Sequence, residues 1–357
     1  MSADTPPFRL QDFARAEILA MKGYLPGEQP QGGKFIKLNT NENPYPPSPK
    51  VMAAIADLGP NLRKYPDPSA TAFRHQVGNL FSISPEQVLC GNGSDEILSL
   101  VCRLFLEPGR TVRWASPTYL MYETLAQACG ATPDTVRYNR DWSLPEEFYS
   151  GQPALVFIAN PNSPSGTCLS TEELSKIIGR FQCPVVVDEA YADFAGTSAI
   201  ELLPKHPNLI VSRTLSKSYA LAGLRFGYAV TSTEIVAQLH KLRDSYNCDM
   251  LSVAMATAAL EDQKWLQENV TTICEERQRL AQALENLGLS VQPSQANFLW
   301  CQHVSIPAET FYAELKKRHI LVRMMDYGDP FVGIRITVGT PEQNQVLLQQ
   351  LEQVLNS

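Results

Sequence analysis

The chain has 357 residues, 44% hydrophobic and 19% charged, with a formal net charge of −7. That length predicts two unequal domains with a large core, and that composition excludes wholesale disorder. The acidic balance and the lack of a long Lys/Arg run argue against nucleic acid or an anionic membrane as the main partner, while leaving room for a small anionic ligand held by local cations.

The opening residues, MSADTPPFRL, lack the charged-then-apolar layout of a secretory signal. No segment approaches the roughly 20 apolar residues of a spanning helix. The eight cysteines contain no CxxC pair and read as reduced thiols of a cytoplasmic protein. The five histidines have no ligand spacing, so no metal is expected.

Residues 8–22 predict an amphipathic helix, with Phe13, Ile18 and Leu19 near helical spacing and Gly23 as a stop. The Pro, Gly and Asn density of PGEQPQGGKFIKLNTNENPYPPSP forbids a long helix, and a short strand at 35–38 makes it an arm over a larger body. From about residue 50 the elements alternate, with a helix at 69–81, strands at 87–90, 111–115, 154–159, 184–187 and 209–212, and an apolar helix at 97–106 led in by GNGSDE. Short apolar runs separated by helices predict a largely parallel sheet covered on both faces, with ligands at the carboxyl ends of its strands. Helices at 232–245 and 251–268, a polar helix ending near 287, strands at 296–300 and 333–338, and helices at 307–318 and 341–355 predict a smaller α+β layer. The division expected is an N-terminal helix and arm over 1–40, a large domain over 41–250 and a small domain over 251–357.

The candidate site residues fall at strand ends and helix starts. In LIVSRTLSKSYALAGLRFGYAV, Lys217 is a candidate amine nucleophile, because burial and neighbouring cations lower a lysine's pKa. Ser216 and Arg225 lie beside it as an anion clamp. In GNGSDE, Gly93 permits a tight turn, and Ser94 and Asp95 can cap a helix whose start suits a phosphate. Tyr119 of SPTYLMY can stack on a planar ligand, and Asn162 of IANPNSPSG can hydrogen-bond a ring oxygen. VVVDEAYADF ends a buried strand in Asp188, which needs a cation: a protonated heterocyclic nitrogen or a structural arginine would serve. Tyr191, three residues on, can reach the same ligand. An imine-forming lysine, an acid for a ring nitrogen, a stacking aromatic, a donor for a phenolic oxygen and a phosphate clamp together describe pyridoxal phosphate.

The order NENPY, GNGSDE, SPTYLMY, NPNSPSG, VVVDEAY, SRTLSKSYALAGLRFGYA and GIRITVG, over about residues 36–340, resembles the fold-type I pyridoxal-phosphate aminotransferases, and within them the family acting on histidinol phosphate. The resemblance implies an α/β large domain with a mostly parallel, mixed seven-stranded sheet flanked by helices, a smaller α+β domain, and pyridoxal 5'-phosphate as cofactor. It also implies small-molecule substrates: transamination of L-histidinol phosphate with 2-oxoglutarate to imidazole-acetol phosphate and L-glutamate. Carried over position by position, Lys217 would bond the cofactor's aldehyde, Asp188 would pair with its ring nitrogen, Tyr191 and Asn162 would meet its ring oxygen, and Tyr119 would stack on its ring. Gly93, Ser94, Asp95, Ser216 and Arg225 would hold its phosphate. Tyr65 of RKYPDP matches the tyrosine that reaches the neighbouring subunit's cofactor, which implies a homodimer with shared sites. Tyr24, Asn43, Arg323 and Arg335 would contact substrate, Arg335 holding its acidic group. The chain departs from the family's NPNNPTG by carrying Ser163 before the proline, so either Asn162 bends in to the ring oxygen or Ser163 and Tyr191 share that task. An aromatic-amino-acid aminotransferase or a phosphothreonine-type decarboxylase would use the same cofactor residues. A pyridoxal-binding regulator would need a basic DNA-binding module for which this chain has neither length nor charge.

Overall fold

The computed structural model describes residues 8–24, 27–30, 32–56 and 58–356. Its strands are β1 (Ile36–Lys37), β2 (Val88–Gly91), β3 (Thr111–Ser116), β4 (Thr132–Arg137), β5 (Leu155–Ala159), β6 (Val185–Asp188), β7 (Leu209–Thr214), β8 (Gly227–Val230), β9 (Ser290–Gln292), β10 (Phe298–Gln302), β11 (Ile320–Leu321), β12 (Arg323–Asp326) and β13 (Val332–Thr337). Seven of them form one sheet in the order β2-β8-β7-β6-β5-β3-β4. β8 runs antiparallel to both neighbours and the other adjacent pairs are parallel.

The central strands are apolar without alternation because both faces are covered. Val185 and Val187 of β6 join Phe73, Val77 and Ile178 on one face, while Val186 joins Ile97, Leu98 and Val236 on the other. β4, reading TPDTVR, is absent from the sequence-based assignment. Its Pro133 and Asp134 are poor strand residues, tolerated because β4 is an edge strand. β8, also not assigned, is four residues long and begins at Gly227. A Cβ there would lie 2.5 Å from the Ser94 nitrogen and 2.9 Å from the Arg213 carbonyl oxygen, so only glycine lets β8 pass beneath the start of the helix Ser94–Phe105.

The smaller layer is the antiparallel sheet β12-β13-β10-β9. Leu280 and Leu284 of the helix Gln263–Asn286, Phe311 of Ala308–Lys317 and Leu347 of Pro341–Leu355 pack with Leu299 of β10 and Ile336 of β13. β1 pairs in parallel with β11, which fastens the arm to this layer. The helix Met250–Leu260, which follows the expected division at residue 250, packs against Pro49–Ala53 and Thr71–Phe81. The 251–268 segment is not one helix but breaks at Asp262, and the segment predicted over 232–245 is helical only at Thr233–Leu239.

The predicted helix at 8–22 is a correction. Only a 3-10 turn at Leu10–Asp12 and a five-residue helix at Ala16–Ala20 form, and Phe13, Ile18 and Leu19 are exposed. Among the described residues its apolar side chains join no buried cluster, the short helix touching the edge of the helix Met121–Ala128, and a helix so short has little stability without a core. Among the described residues no helix is long and apolar enough to cross a membrane.

Gly227→Ala is expected to lower stability by roughly 1–3 kcal/mol through overpacking against backbone, read as a lower thermal midpoint by circular dichroism. An unchanged midpoint would refute the close-approach argument.

Candidate active site

β5, β6 and β7 are parallel neighbours in register, Ala159 beside Asp188 and Asp188 beside Ser212, so their carboxyl ends open on one edge. A cavity of about 230 Å³ lies there, and Asp188, Tyr191, Lys217, Arg225, Arg323 and Arg335 all face it. Its walls come from the large layer, the arm and the smaller sheet.

Asp188 is buried and accepts a hydrogen bond from the Tyr122 hydroxyl at 2.8 Å and from the Ala190 N–H at 3.3 Å. Neither partner is a cation. Burial pushes its carboxyl up to about 6, and the Tyr122 hydrogen bond opposes that rise. Arg213, on the neighbouring strand β7, is engaged elsewhere: it pairs with Asp193 and lies with its Nε 3.7 Å from Glu189. The Ser198 hydroxyl and the Ala199 N–H complete Glu189, and the Ser218 hydroxyl completes Asp193.

Lys217 donates from Nζ to the Thr40 carbonyl at 3.1 Å and stands 5.9 Å from the centre of the Tyr191 ring. Burial, reinforced by the Arg335 guanidinium, brings its amine down to about 8. At neutral pH roughly a tenth of such amines carry a free lone pair, far more than of exposed lysines. The Tyr191 hydroxyl accepts from the Asn41 amide at 2.8 Å.

At the opposite end of the cavity, Gly93, at φ +83°, caps the helix that begins at Ser94. Ser94 and Asp95 therefore occupy its first turn, not the capping position. A Cβ at Gly93 would lie 2.7 Å from Nη2 of Arg225, so glycine is what lets the guanidinium rest against the turn. Arg225 also donates to Asp95 at 3.1 Å, and Tyr119 donates to the same carboxylate at 2.9 Å. Thr214 and Ser216, joined by a 3.0 Å hydrogen bond, face this end.

On the smaller sheet, Arg323 of β12 and Arg335 of β13 are directly paired, so both guanidinium groups project from one face. Arg335 is held by Ser163 Oγ at 2.9 Å and the Asn39 carbonyl at 3.1 Å, with Nε buried and unpartnered, over the Phe298 ring at 5.3 Å. The Tyr24 ring meets Tyr119 edge-on at 6.0 Å. This corner suits an anion.

A family model described as aminotransferase class I and II matches residues 33–351. The chain is 46% identical over 348 residues to the histidinol-phosphate aminotransferase of Rhodopirellula baltica, covering 96% of each. It is 44% identical over 351 residues to histidinol-phosphate aminotransferase 1 of a Nostoc species, covering 98% of this chain and 99% of that one. The chain belongs to the class I and II aminotransferases. A solved histidinol-phosphate aminotransferase from Sinorhizobium meliloti, in complex with pyridoxal-5'-phosphate, superposes with a TM-score of 0.85 at 28% identity, over 90% of this chain and 91% of that one.

Within this aminotransferase chain three candidate side chains lie apart from the cavity, and Gly93 borders it only through Arg225. Asn162 is turned into its own loop, accepting from Thr118 at 2.7 Å and donating to Ser165 at 2.9 Å and to the Pro117 carbonyl at 3.2 Å, while Ser163 faces the cavity. Asn43 holds the loop behind the lysine, donating to the carbonyls of Lys217 and Ser218 at 3.1 Å each. Tyr65 is 78% exposed, stacked on Tyr246 at 4.4 Å. Two residues were missed. Tyr122 stands three places after Tyr119, a helical turn that could have linked them, and Asn41 stands two before Asn43. Among the described residues no cluster of His, Cys, Asp or Glu could hold a metal ion.

Without cofactor, Lys217 has a pH signature. Its folded pKa of about 8 lies below the ordinary 10.5, so its contribution to stability is present above 10.5 and lost as pH falls through 8. The difference in unfolding midpoint between Lys217→Met and the wild type should therefore favour the variant at pH 7 and shrink steadily between those two values. A difference that does not vary with pH would contradict the depressed amine.

Proposed function

We propose that this chain is a pyridoxal-phosphate-dependent aminotransferase that moves the amino group of L-histidinol phosphate to 2-oxoglutarate, yielding imidazole-acetol phosphate and L-glutamate. The observation that carries the reading is one cavity in which a buried carboxylate without a cationic partner, Asp188, and a buried amine brought down to about 8, Lys217, both face the same space. The donor set fits the cofactor: Asp188 for a protonated ring nitrogen, Tyr191 and Ser163 for the ring oxygen, Tyr119 against the ring, and Ser94, Ser216 and Arg225 for a phosphate. Pyridoxal phosphate, when bound, supplies a conjugated ring that stabilises negative charge at the substrate's α-carbon.

The chain's residues do the rest. Lys217 would hold the cofactor's aldehyde, and its amine would remove the proton from the α-carbon of the amino donor. The Thr40 carbonyl supports that amine. Asp188 favours a positive charge opposite, and the low-dielectric site strengthens the attraction. Arg335 receives either the α-carboxylate of glutamate or the phosphate of histidinol phosphate, since a guanidinium forks onto both. Arg323 and Tyr24 border the same corner.

A homodimer with shared sites is part of the proposal. It is supported by the exposed Tyr65 and by the exposed apolar side chains Phe8, Leu10, Phe13, Ile18 and Leu19 of the N-terminal segment. The eight unpaired cysteines support a reducing compartment, the cytoplasm. The domain division proposed is arm, large domain and small domain, with the long helix Gln263–Asn286 as the bridge, since it touches Ala192–Ala195 as well as β9 and β10.

Purified protein should form glutamate from histidinol phosphate and 2-oxoglutarate, and turn over phenylalanine poorly; release of carbon dioxide instead would overturn the assignment. Lys217→Ala should lose at least about 10³-fold in kcat, in line with the loss of a nucleophile and base. Arg335→Ala should raise the Michaelis constants of both substrates by about tenfold or more, as for a charge-assisted pair; unchanged constants for both would remove Arg335 from the anion site.

A further inference from the structure

The Tyr122 hydroxyl, which has no exposed surface, points at Asp188 Oδ2 from 2.8 Å. Three aromatic neighbours fix its ring: it stacks on Phe157 at 4.6 Å and 7°, and meets Tyr119 at 5.6 Å and Trp114 at 6.3 Å edge-on. It does not face the cavity, so it acts on anything bound there only through Asp188. A tyrosine hydroxyl has one hydrogen to donate, and here the carboxylate takes it.

We propose that Tyr122 is a positioning residue that keeps Asp188 ionised, so that the proton between this carboxylate and the ring nitrogen of the bound cofactor stays on the nitrogen. The inference rests on the pyridoxal-phosphate reading above.

A hydrogen bond to the ionised carboxylate stabilises that form alone. The groups that face Asp188 are Tyr119 and Tyr122 from the segment before and into Met121–Ala128, Asp95 from the helix Ser94–Phe105, Tyr191 from the turn after β6, and Lys217 across the cavity. The Asp95 charge disfavours ionisation of Asp188, and the Tyr122 and Ala190 hydrogen bonds favour it. Asp188 stands at about 6 with the Tyr122 hydrogen bond already opposing the effect of burial, so loss of that bond moves its carboxyl further up. Burial and the Asp188 charge drive the Tyr122 hydroxyl far above its ordinary value, so it remains a donor at every working pH.

The test uses full-length holoenzyme loaded with ring-¹⁵N pyridoxal phosphate. In the wild type the ¹⁵N resonance should lie at the protonated position across neutral pH. Tyr122→Phe keeps the ring stack and removes the hydroxyl. It should move the resonance toward the unprotonated position and lower kcat about tenfold, one pKa unit being tenfold, with KM for glutamate unchanged. In cofactor-free protein the ¹³C-carboxyl signal of Asp188 should titrate about one unit higher in this variant. Site-specific 3-fluorotyrosine at position 122, a stronger donor, should move the Asp188 titration the other way. An unchanged ¹⁵N signal in the loaded Tyr122 variants together with an unchanged Asp188 titration in the cofactor-free ones would overturn this inference alone. Failure of the wild type to bind pyridoxal phosphate would overturn the functional reading along with it.

Discussion

A carboxyl group at the end of an apolar parallel strand, with a hydroxyl and an amide N–H as partners, is the constraint on which the site depends. Burying such a group in its charged form is costly unless a cation joins it. The fold creates the problem locally, because β6 reads VVVD and its three valines are committed to the two cores. The nearest arginine in the neighbouring strand cannot relieve it, since Arg213 is held by Asp193 and Glu189. Across the cavity burial works on Lys217 in the opposite sense. One group is held above its ordinary range and the other below it, so each is poised to change state when a partner arrives, a pattern typical of functional sites.

The anion corner carries a second unsatisfied demand. Arg323 and Arg335 are paired across β12 and β13, which places two positive charges side by side, and Arg335 keeps a buried Nε without a partner. The Arg323 charge works against that of Arg335. Ser163 accepts from Arg335 and faces the cavity, whereas Asn162 is consumed in locking its own turn to Thr118, Pro117 and Ser165. The two positions divide the work of anchoring the loop and of presenting a hydroxyl.

The parts of the molecule legible from sequence are those in which local composition and environment agree. β5, β6 and β7 are apolar because both faces are covered, and they were found within one or two residues. β4 was not, because an edge position tolerates a proline that argues against a strand. The N-terminal helix failed because periodicity announces an apolar side without saying what covers it. Lys217, Asp188, Arg225 and Arg335, which the fold brings to one cavity, each sit in a distinctive local pattern. Tyr122 and Asn41 had at most their spacing from Tyr119 and Asn43 to mark them, because their hydrogen bonds to Asp188 and Tyr191 span 66 and 150 residues of sequence. Asn43 was misplaced for the same reason: NENPY marks a segment at the site, but only the fold decides which asparagine faces inward.

The residues that lead into that segment explain how the two layers work as one. Asn39 holds Arg335 through its carbonyl, Thr40 holds the Lys217 amine, and Asn41 holds the Tyr191 hydroxyl. Just before them β1 is paired with β11 of the smaller layer, and just after them Asn43 is bonded to the backbone of the lysine loop. Consecutive residues Asn39 and Thr40 thus set the Lys217 amine against the Arg335 guanidinium. Consecutive Cα atoms are about 3.8 Å apart, so the arm holds the two groups at a separation that neither layer could fix alone. Positioning of this kind is what makes a bound substrate reactive, since an amine displaced by an ångström loses much of its effect.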